Sequence, residues 1–222
     1  RGLVGIGGEA DVAAEHLVQP DRARSLSGLA RDRRGEFLEV LLEEILHLEE
    51  DARADGRRER RDAHRVAGDA TLEIWLVQQL ERTGDGPGWS TVESGTLVGA
   101  MRVSGSFKEI RGKVVKPGVY TLRYGQQPQN GDHLGISPFR EYLLISPAAI
   151  DKDPKVLGFD GVVALSKEVI GTAHPASLSI DPPEDAPGAV LFTYKNESGH
   201  EGVVLQVGSL KFGLIVSGLI VH

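Results

Sequence analysis

Residues 116–125 read Lys-Pro-Gly-Val-Tyr-Thr-Leu-Arg-Tyr-Gly, and this stretch decides the fold. From residue 119 to residue 124 the side chains alternate between two sets, Tyr120, Leu122 and Tyr124 against Val119, Thr121 and Arg123. A period of two is typical of a β-strand that buries one of its faces. Pro117 and Gly118 stand where a type II turn places proline and glycine, so strands are predicted on both sides of this turn.

The same period recurs on either side of this stretch. One face is shared by Leu72, Ile74, Leu76 and Leu80, and another by Leu97, Gly99, Met101 and Val103. Further strands are predicted at 141–145, 177–180, 189–194, 202–207 and 210–220. Strands at this density with short turns predict a mainly β fold, an antiparallel β-sandwich or barrel of about eight strands.

One short helix is predicted to interrupt the sheet at residues 161–170. Asp160 can cap its N-terminus, and Gly171 can take the left-handed position that ends it. Its apolar stripe consists of Val162, Leu165, Val169 and Ile170. We expect this helix to close one end of the sandwich.

Composition excludes several classes of function. The chain has 222 residues, 40% of them hydrophobic and 26% charged, with a net charge of -7. The acidic balance argues against nucleic-acid binding. There is no cysteine, which excludes disulfides, thiolate metal sites and cysteine nucleophiles. No apolar run approaches the roughly 20 residues that cross a bilayer, so we expect no membrane span and a soluble chain.

The composition changes near residue 68. Residues 1–68 contain 12 arginines and no lysine, whereas residues 69–222 contain 5 arginines and all 8 lysines. We therefore divide the chain into an Arg-rich helical N-terminal extension (1–68) and a β-domain (69–222). The extension has the composition of GC-rich DNA read out of frame, which favours a fusion upstream of a genuine domain. The alternative is a natural Arg-rich helical extension.

The extension contains one strongly amphipathic helix, predicted at residues 36–51. Phe37, Leu41, Ile45 and Leu48 follow one another at helical spacing and form one face. If the extension was acquired by fusion, no groove evolved to cover this face, and a second copy of the helix is the better partner. The sequence therefore predicts a homodimer through residues 36–51.

Three stretches, 105–125, 131–149 and 158–183, resemble an uncharacterised β-rich domain of secreted or periplasmic bacterial proteins, a domain of unknown function. The resemblance covers about residues 70–222 and implies a β-fold and a secreted or periplasmic parent protein. The chain itself begins without a signal peptide, so we expect it to stay cytoplasmic when expressed. The resemblance implies no catalytic residues.

The candidate chemical groups lie in predicted loops. Imidazole and carboxylate groups suit zinc or a similar divalent ion, and the predicted ligands are Asp132, His133, His174 and His200. The loop at 126–139 is long enough to be functional, and it holds Asp132 and His133. Arg140 lies just beyond the loop and can hold an anion, so the predicted catalytic residues are Asp132, His133 and Arg140. The alternative is that all of these are polar surface residues.

Two functions follow from these residues. The first is a divalent-metal-dependent hydrolase acting on small phosphoesters or carboxylic esters, with a metal-bound hydroxide as nucleophile. The second is a non-catalytic binding module for a glycan, a lipid or a protein. Its predicted stacking surface consists of Trp75, Trp89, Tyr120, Tyr124 and Tyr142.

Overall fold

The computed structural model describes residues 63–65, 70–128, 139–186 and 188–217. These residues form eleven strands and one helix. The strands are β1 (Ala63–Arg65), β2 (Thr71–Leu76), β3 (Leu97–Ser104), β4 (Phe107–Lys108), β5 (Val114–Val115), β6 (Gly118–Gln126), β7 (Glu141–Pro147), β8 (Ser177–Asp181), β9 (Thr193–Lys195), β10 (Glu201–Val207) and β11 (Leu210–Ser217). The helix, α1, is Gly158–Ile170.

Nine of these strands form a single sheet in the order β1-β2-β3-β6-β7-β8-β11-β10-β9, and β4 and β5 form a separate pair. Every neighbouring pair is antiparallel. The predicted mainly β, antiparallel fold with one helix is confirmed. The sheet is continuous, however, so it forms a half-barrel rather than two packed sheets. Strand β1 lies upstream of residue 68.

The sheet is strongly curled. Trp89, in the segment between β2 and β3, stacks on Tyr124 of β6 with ring centroids 4.9 Å apart. The same indole packs edge-on against the ring of Phe212 on β11, with the ring centroids 5.1 Å apart. Strands β6 and β11 are three positions apart in the sheet, which would separate them by about 14 Å if the sheet were flat. One indole can touch both strands because the sheet curves around it.

Alternate residues of each strand build the main core. In β6 these are Tyr120, Leu122 and Tyr124, as the period of two predicts. We call this side of the sheet the core face. The other side, which carries Arg123, is the opposite face.

The alternation predicted for β3 is interrupted by a bulge. The pairing with β6 shifts between Leu97 and Gly99, so that Val98 enters the main core and Leu97 does not. The prediction that Leu97 shares a face with Met101 and Val103 was therefore wrong. An extra residue in one strand moves the side chains on one side of the bulge to the other face of the sheet. A simple alternation read from the sequence does not reveal such a bulge.

Two local predictions at turns are corrected. Gly118 has no positive φ and is the first residue of β6, so it does not occupy the left-handed position of a type II turn. Asp160 does not cap α1, because the cap is Leu157 and Asp160 lies in the first helical turn. Gly171 does end the helix in the left-handed conformation, with φ 62°. The helix predicted at 36–51 lies outside the described residues.

Candidate functional site

The opposite face carries a buried polar cluster around Asp181, the last residue of β8. The residue is 3% exposed. Its Oδ2 accepts hydrogen bonds from the Tyr194 hydroxyl at 3.0 Å and from Asn196 Nδ2 at 3.1 Å. Tyr194 lies on β9 and Asn196 follows that strand, so the cluster connects strands that are three positions apart in the sheet.

Two glycines leave the space that the Tyr194 ring occupies. Gly202 of β10 is the cross-strand partner of Tyr194, and Gly213 of β11 is the partner of Asp181. A β-carbon at Gly202 would lie 2.6 Å from the Tyr194 hydroxyl, and one at Gly213 would lie 2.8 Å from Cζ of the same ring. The ring therefore rests directly on the backbone of β10 and β11.

Asn196 connects this cluster to the turn that follows β9. Its Oδ1 accepts hydrogen bonds from the backbone N–H groups of Ser198 at 3.1 Å and His200 at 3.0 Å. Asparagine favours such turns because its side chain replaces a backbone acceptor. The turn leaves His200 half-buried, close enough for its charge to act on Asp181. One predicted metal ligand, His200, is thus brought to the cluster.

The cluster contains a carboxyl group with an unusual affinity for protons. Burial raises the pKa of Asp181 above its ordinary value, and the nearby Asp185 acts in the same direction. The hydrogen bonds from Asn196 and Tyr194, and the charge of His200, oppose this rise in pKa without cancelling it. Burial also raises the pKa of Tyr194, so its hydroxyl remains a donor. A carboxyl group of this kind is suited to proton transfer.

The remaining predicted site residues lie elsewhere. Arg140 donates through Nε and Nη2 to the backbone oxygen of Gln127, at 3.0 Å and 2.8 Å, and therefore binds the chain itself. His174 is exposed in the segment after α1. Asp132 and His133 lie outside the described residues, so their roles stay predictions.

A metal centre is not present in the described part of the chain. Across residues 63–65, 70–128, 139–186 and 188–217, no three His, Asp or Glu side chains come together in a way that can hold a metal ion. His174 and His200 therefore do not form such a centre with other described residues. A centre that includes Asp132 and His133 remains a prediction.

The stacking surface predicted from the aromatic residues is not formed. Trp89, Tyr120 and Tyr124 are buried in the main core. Trp75 and Tyr142 are half-buried, and the Tyr142 hydroxyl bonds Oε1 of Gln127 at 3.1 Å. Aromatic side chains bury large apolar areas, which explains why three of these five aromatic residues lie inside the curled sheet.

Arg123 forms a second buried cluster, and its contacts are structural. Its Nε and Nη2 donate to the carboxylate of Asp151 at 2.7 Å and 2.8 Å. Its Nη1 donates to the backbone oxygens of Gly95 and Lys155, and Nη2 also donates to that of Asp153. All five N–H donors of the guanidinium are thereby used. The ion pair therefore holds the segment after β7 against β6 and leaves no donor for a ligand.

A bulge at the β9 edge exposes two apolar side chains. The Leu191 N–H donates to the Val204 oxygen at 2.7 Å, and the Val204 N–H donates to the Phe192 oxygen at 2.9 Å, so two residues oppose one. Leu191 has φ 70°, and it is the one non-glycine residue with positive φ among those described. Its side chain packs against the main core. Val190 and Phe192 are 43% and 54% exposed.

Sequence reasoning missed the residues of the Asp181 cluster. The pattern predicts a strand at 177–180 that ends before proline, and it indicates no chemical role for Tyr194 or Asn196. One signal was available, because Gly202 and Gly213 interrupt apolar strands, and glycine inside a strand often marks a close approach by another group. Nothing in the sequence indicates which ring approaches.

The described residues include no helix with the length and apolar character needed to span a bilayer. No protein-family model, no curated protein and no solved structure matches this chain.

Proposed function

We propose that the β-domain is a non-catalytic module that binds a protein at its β9 edge. The observation that carries this proposal is the strained bulge at Leu191, which leaves Val190 and Phe192 exposed. A left-handed conformation at a non-glycine residue costs on the order of 1–3 kcal/mol, and such strain is concentrated at binding sites and active sites. Here the strain displays two apolar side chains beside a sheet edge.

The edge itself supports this mode of binding. β9 is the last strand of the sheet, and among the described residues no strand pairs with its outer side. Outward-facing N–H and C=O groups of an edge strand can pair with an extended peptide, while neighbouring apolar side chains select its sequence. Val190 and Phe192 lie directly before β9 and are placed for that selection.

Charge around the edge favours a basic partner. Four carboxylates are exposed in this region, and three of them, Glu184, Asp185 and Glu197, are in addition to Glu201, which pairs with a lysine. The nearby cations are engaged, because Lys195 pairs with Glu201 at 3.5 Å and Lys211 donates to the Gly188 oxygen at 2.7 Å. We therefore assign the site to an extended protein segment that carries both apolar and basic side chains.

A displayed library of random peptides, selected on the full chain, tests this proposal. We expect the selected peptides to combine apolar and basic residues and to lose at least tenfold in affinity for Phe192→Asp. The matched control is Ile150→Asp, since Ile150 is equally exposed at 56% but lies far along the chain, after β7. If no peptide is selected, or if both variants bind equally, the proposal is wrong.

A second candidate function is hydrolysis of small phosphoesters or carboxylic esters. The raised pKa of Asp181 beside Tyr194 and near His200 favours it, because perturbed pKa values are concentrated at catalytic sites. A divalent ion such as zinc would supply an activated water. The proposed ligands are Asp132, His133, His174 and His200, and Arg140 is the proposed anion partner.

Metal analysis and a chelator test the second candidate. We expect one divalent ion per chain, loss of ester hydrolysis on chelation, and a larger loss for His133→Ala and His174→Ala than for the control His16→Ala. Asp181→Asn separates the two parts of this proposal, because it removes a proton-transfer group without removing a proposed ligand. Activity that survives the chelator and all of these variants would refute the candidate.

The predicted oligomer remains a separate proposal. We propose a homodimer through the apolar stripe at 36–51, and we propose that residues 1–68 were joined to a domain of a secreted or periplasmic parent. Support comes from the apolar stripe and from the change in arginine and lysine content near residue 68.

A further inference from the structure

The hairpin formed by β4 and β5 belongs to a basic segment of an acidic chain. Residues 105–117 contain four basic side chains, those of Lys108, Arg111, Lys113 and Lys116. Glu109 is the one carboxylate in this range, so the segment has a net charge of +3 (4 minus 1), whereas the whole chain has -7. A positive patch of this kind attracts a negatively charged surface.

The carboxylate of Glu109 is used inside the hairpin. Its side chain is buried, Oε2 accepts from Arg111 Nε at 3.0 Å, and Oε1 accepts from the backbone N–H groups of Arg111 and Lys113, both at 3.2 Å. The side chains of Lys108, Lys113 and Lys116 form no hydrogen bond or ion pair with other described residues. Three positive charges of the hairpin are therefore available to a partner.

The two sides of the hairpin differ in exposure. Phe107 pairs with Val115 across the strands, and both lie in the main core. Lys108 pairs with Val114, which is 47% exposed, and Lys108 is exposed beside it. Cross-strand partners have their β-carbons about 5 Å apart, so the apolar side chain and the ammonium-bearing side chain form one surface. We call Lys108, Val114 and the exposed Lys116 the hairpin face.

The hairpin is anchored from beneath. Ile110, between β4 and β5, is buried in a cluster that also contains Tyr194 and Val204. With Phe107 and Val115 in the main core, this packing holds the hairpin face on a fixed base, and a preorganised surface loses little conformational freedom on binding. Among the described residues, no hydrogen bond or ion pair joins the hairpin lysines to the carboxylates at the β9 edge.

The hairpin face has the chemistry that the β9 edge requires of its partner. Residues 113–116 read Lys-Val-Val-Lys, and β5 is the extended part of this stretch. The edge presents the exposed apolar side chains Val190 and Phe192 together with unpaired carboxylates. In the described part of the chain, β5 pairs only with β4 and β9 only with β10, so each has one side without a strand.

We infer that the partner of the β9 edge is a second copy of this chain, which presents its β4–β5 hairpin. This inference rests on the function proposed above and names the partner of that site. Val114 packs on Phe192, and the lysines of the hairpin face lie against the carboxylates Glu184, Asp185 and Glu197. The contact has the size of a transient interface, so we expect it at high protein concentration.

Binding between variant chains tests this inference, because the hairpin and the edge can be disabled separately. Val114→Asp disables the hairpin and Phe192→Asp disables the edge, and both side chains are exposed, so both variants should fold. Each full-length variant is immobilised on a sensor surface and titrated with each variant in solution, which gives four pairings. An unlike pairing keeps one intact hairpin and one intact edge on different chains, whereas a like pairing keeps no complete contact.

We expect the unlike pairings to bind about tenfold more tightly than the like pairings, and we expect this advantage to shrink between about 0.05 M and 0.5 M sodium chloride. The like pairings are the matched control, because any contact through residues 36–51 contributes equally to all four. Four equal affinities would overturn the inference. If peptides selected on the chain still required Phe192 in that case, the edge would bind a different protein, and only the identity of the partner would be wrong.

Vesicles that contain phosphatidylserine test the other surface that a basic hairpin can bind. We expect the native chain to bind them no better than neutral phosphatidylcholine vesicles. Binding to the anionic vesicles that Val114→Asp abolishes, together with four equal pairings, would assign the hairpin face to a membrane surface and overturn the inference.

Discussion

The hydroxyl group of Tyr194 on β9 donates to Oδ2 of Asp181 on β8 at 3.0 Å, although β10 and β11 lie between these two strands. The phenol spans this distance because both intervening strands have a glycine beneath it. One hydrogen bond therefore braces four neighbouring strands on the opposite face. The same bond is made to a buried carboxyl group, so its loss leaves an acceptor without one of its donors.

The first prediction concerns the space beneath the ring. Gly213→Ala places a methyl group against Tyr194, and we expect it to lower the free energy of unfolding by about 1–3 kcal/mol, the usual cost of overpacking. In the Tyr194→Phe background the nearest atom is missing, so the same substitution should cost less. Chemical denaturation of the four proteins measures this coupling. Equal costs in both backgrounds would contradict the packing described here.

The second prediction concerns pH. Because the pKa of Asp181 is raised in the folded chain, the native state holds a proton there that the unfolded chain has already released. The free energy of unfolding therefore falls as the pH rises from the ordinary aspartate pKa through the raised one. Asp181→Asn removes this titration. We expect the stability of the native sequence, relative to Asp181→Asn, to decrease as the pH rises across that window. An increase would show that the pKa of Asp181 is lowered in the folded chain.

The third prediction concerns the buried ion pair. Asp151→Asn leaves the Arg123 charge without its counter-ion in a site that excludes water, and we expect a loss of about 3–5 kcal/mol in the free energy of unfolding. Glu201→Gln is the control, because the Lys195–Glu201 pair is exposed and such pairs contribute about 0–1 kcal/mol. Urea denaturation distinguishes these values. Similar losses for both variants would mean that Arg123 is hydrated.

The fourth prediction concerns the strained bulge. Leu191→Ala and Leu191→Gly both remove the packing of this side chain. Glycine also adopts the left-handed backbone conformation without strain, whereas that conformation costs other residues about 1–2 kcal/mol. We expect the glycine variant to be the more stable of the two. Leu178 on β8 provides the control, because its backbone has the regular strand conformation. There we expect the alanine variant to be more stable than the glycine variant. Thermal or urea denaturation of both pairs gives the comparison, and the same order at both positions would refute the strain.

The fifth prediction concerns the oligomer. Leu41→Glu with Ile45→Glu places two charges on the apolar stripe at 36–51, where burial of each side chain is worth about 1.5–3 kcal/mol. Light scattering should show a dimer for the native sequence and a monomer for the double variant. A native monomer, or a dimer that tolerates both charges, would rule out this interface.

The positions of most strands can be predicted from the sequence, but which face of each strand is buried cannot always be predicted. The period of two in β6 is confirmed because each side chain there obeys the simple alternation. In β3 the bulge at Val98 breaks the rule, and its cause is the pairing with β6 rather than any local residue preference. Arg123 is assigned to the correct face, but its burial depends on Asp151, which lies 28 residues later in the sequence.

The candidate site depends still more on long-range contacts. Asp181, Tyr194 and Gly213 are unremarkable when read along the chain, and their relationship arises from the strand order β8-β11-β10-β9. Histidine positions and loop lengths therefore indicate His200 but not the carboxyl group of Asp181. The sequence alone predicts a surface position for Trp89, because no local pattern encodes the curvature that brings Tyr124 and Phe212 to the same ring.

The glycines beneath Tyr194 also constrain how this sequence can diverge. An aromatic residue at position 194 requires the absence of a side chain at both Gly202 and Gly213, and a smaller residue at 194 would leave the two glycines uncovered. The residues tolerated at the two glycine positions should therefore depend on the residue at position 194 in descendants of this chain. Substitutions that enlarge either glycine become neutral only after the tyrosine has been lost, which fixes the order in which this part of the sheet can evolve.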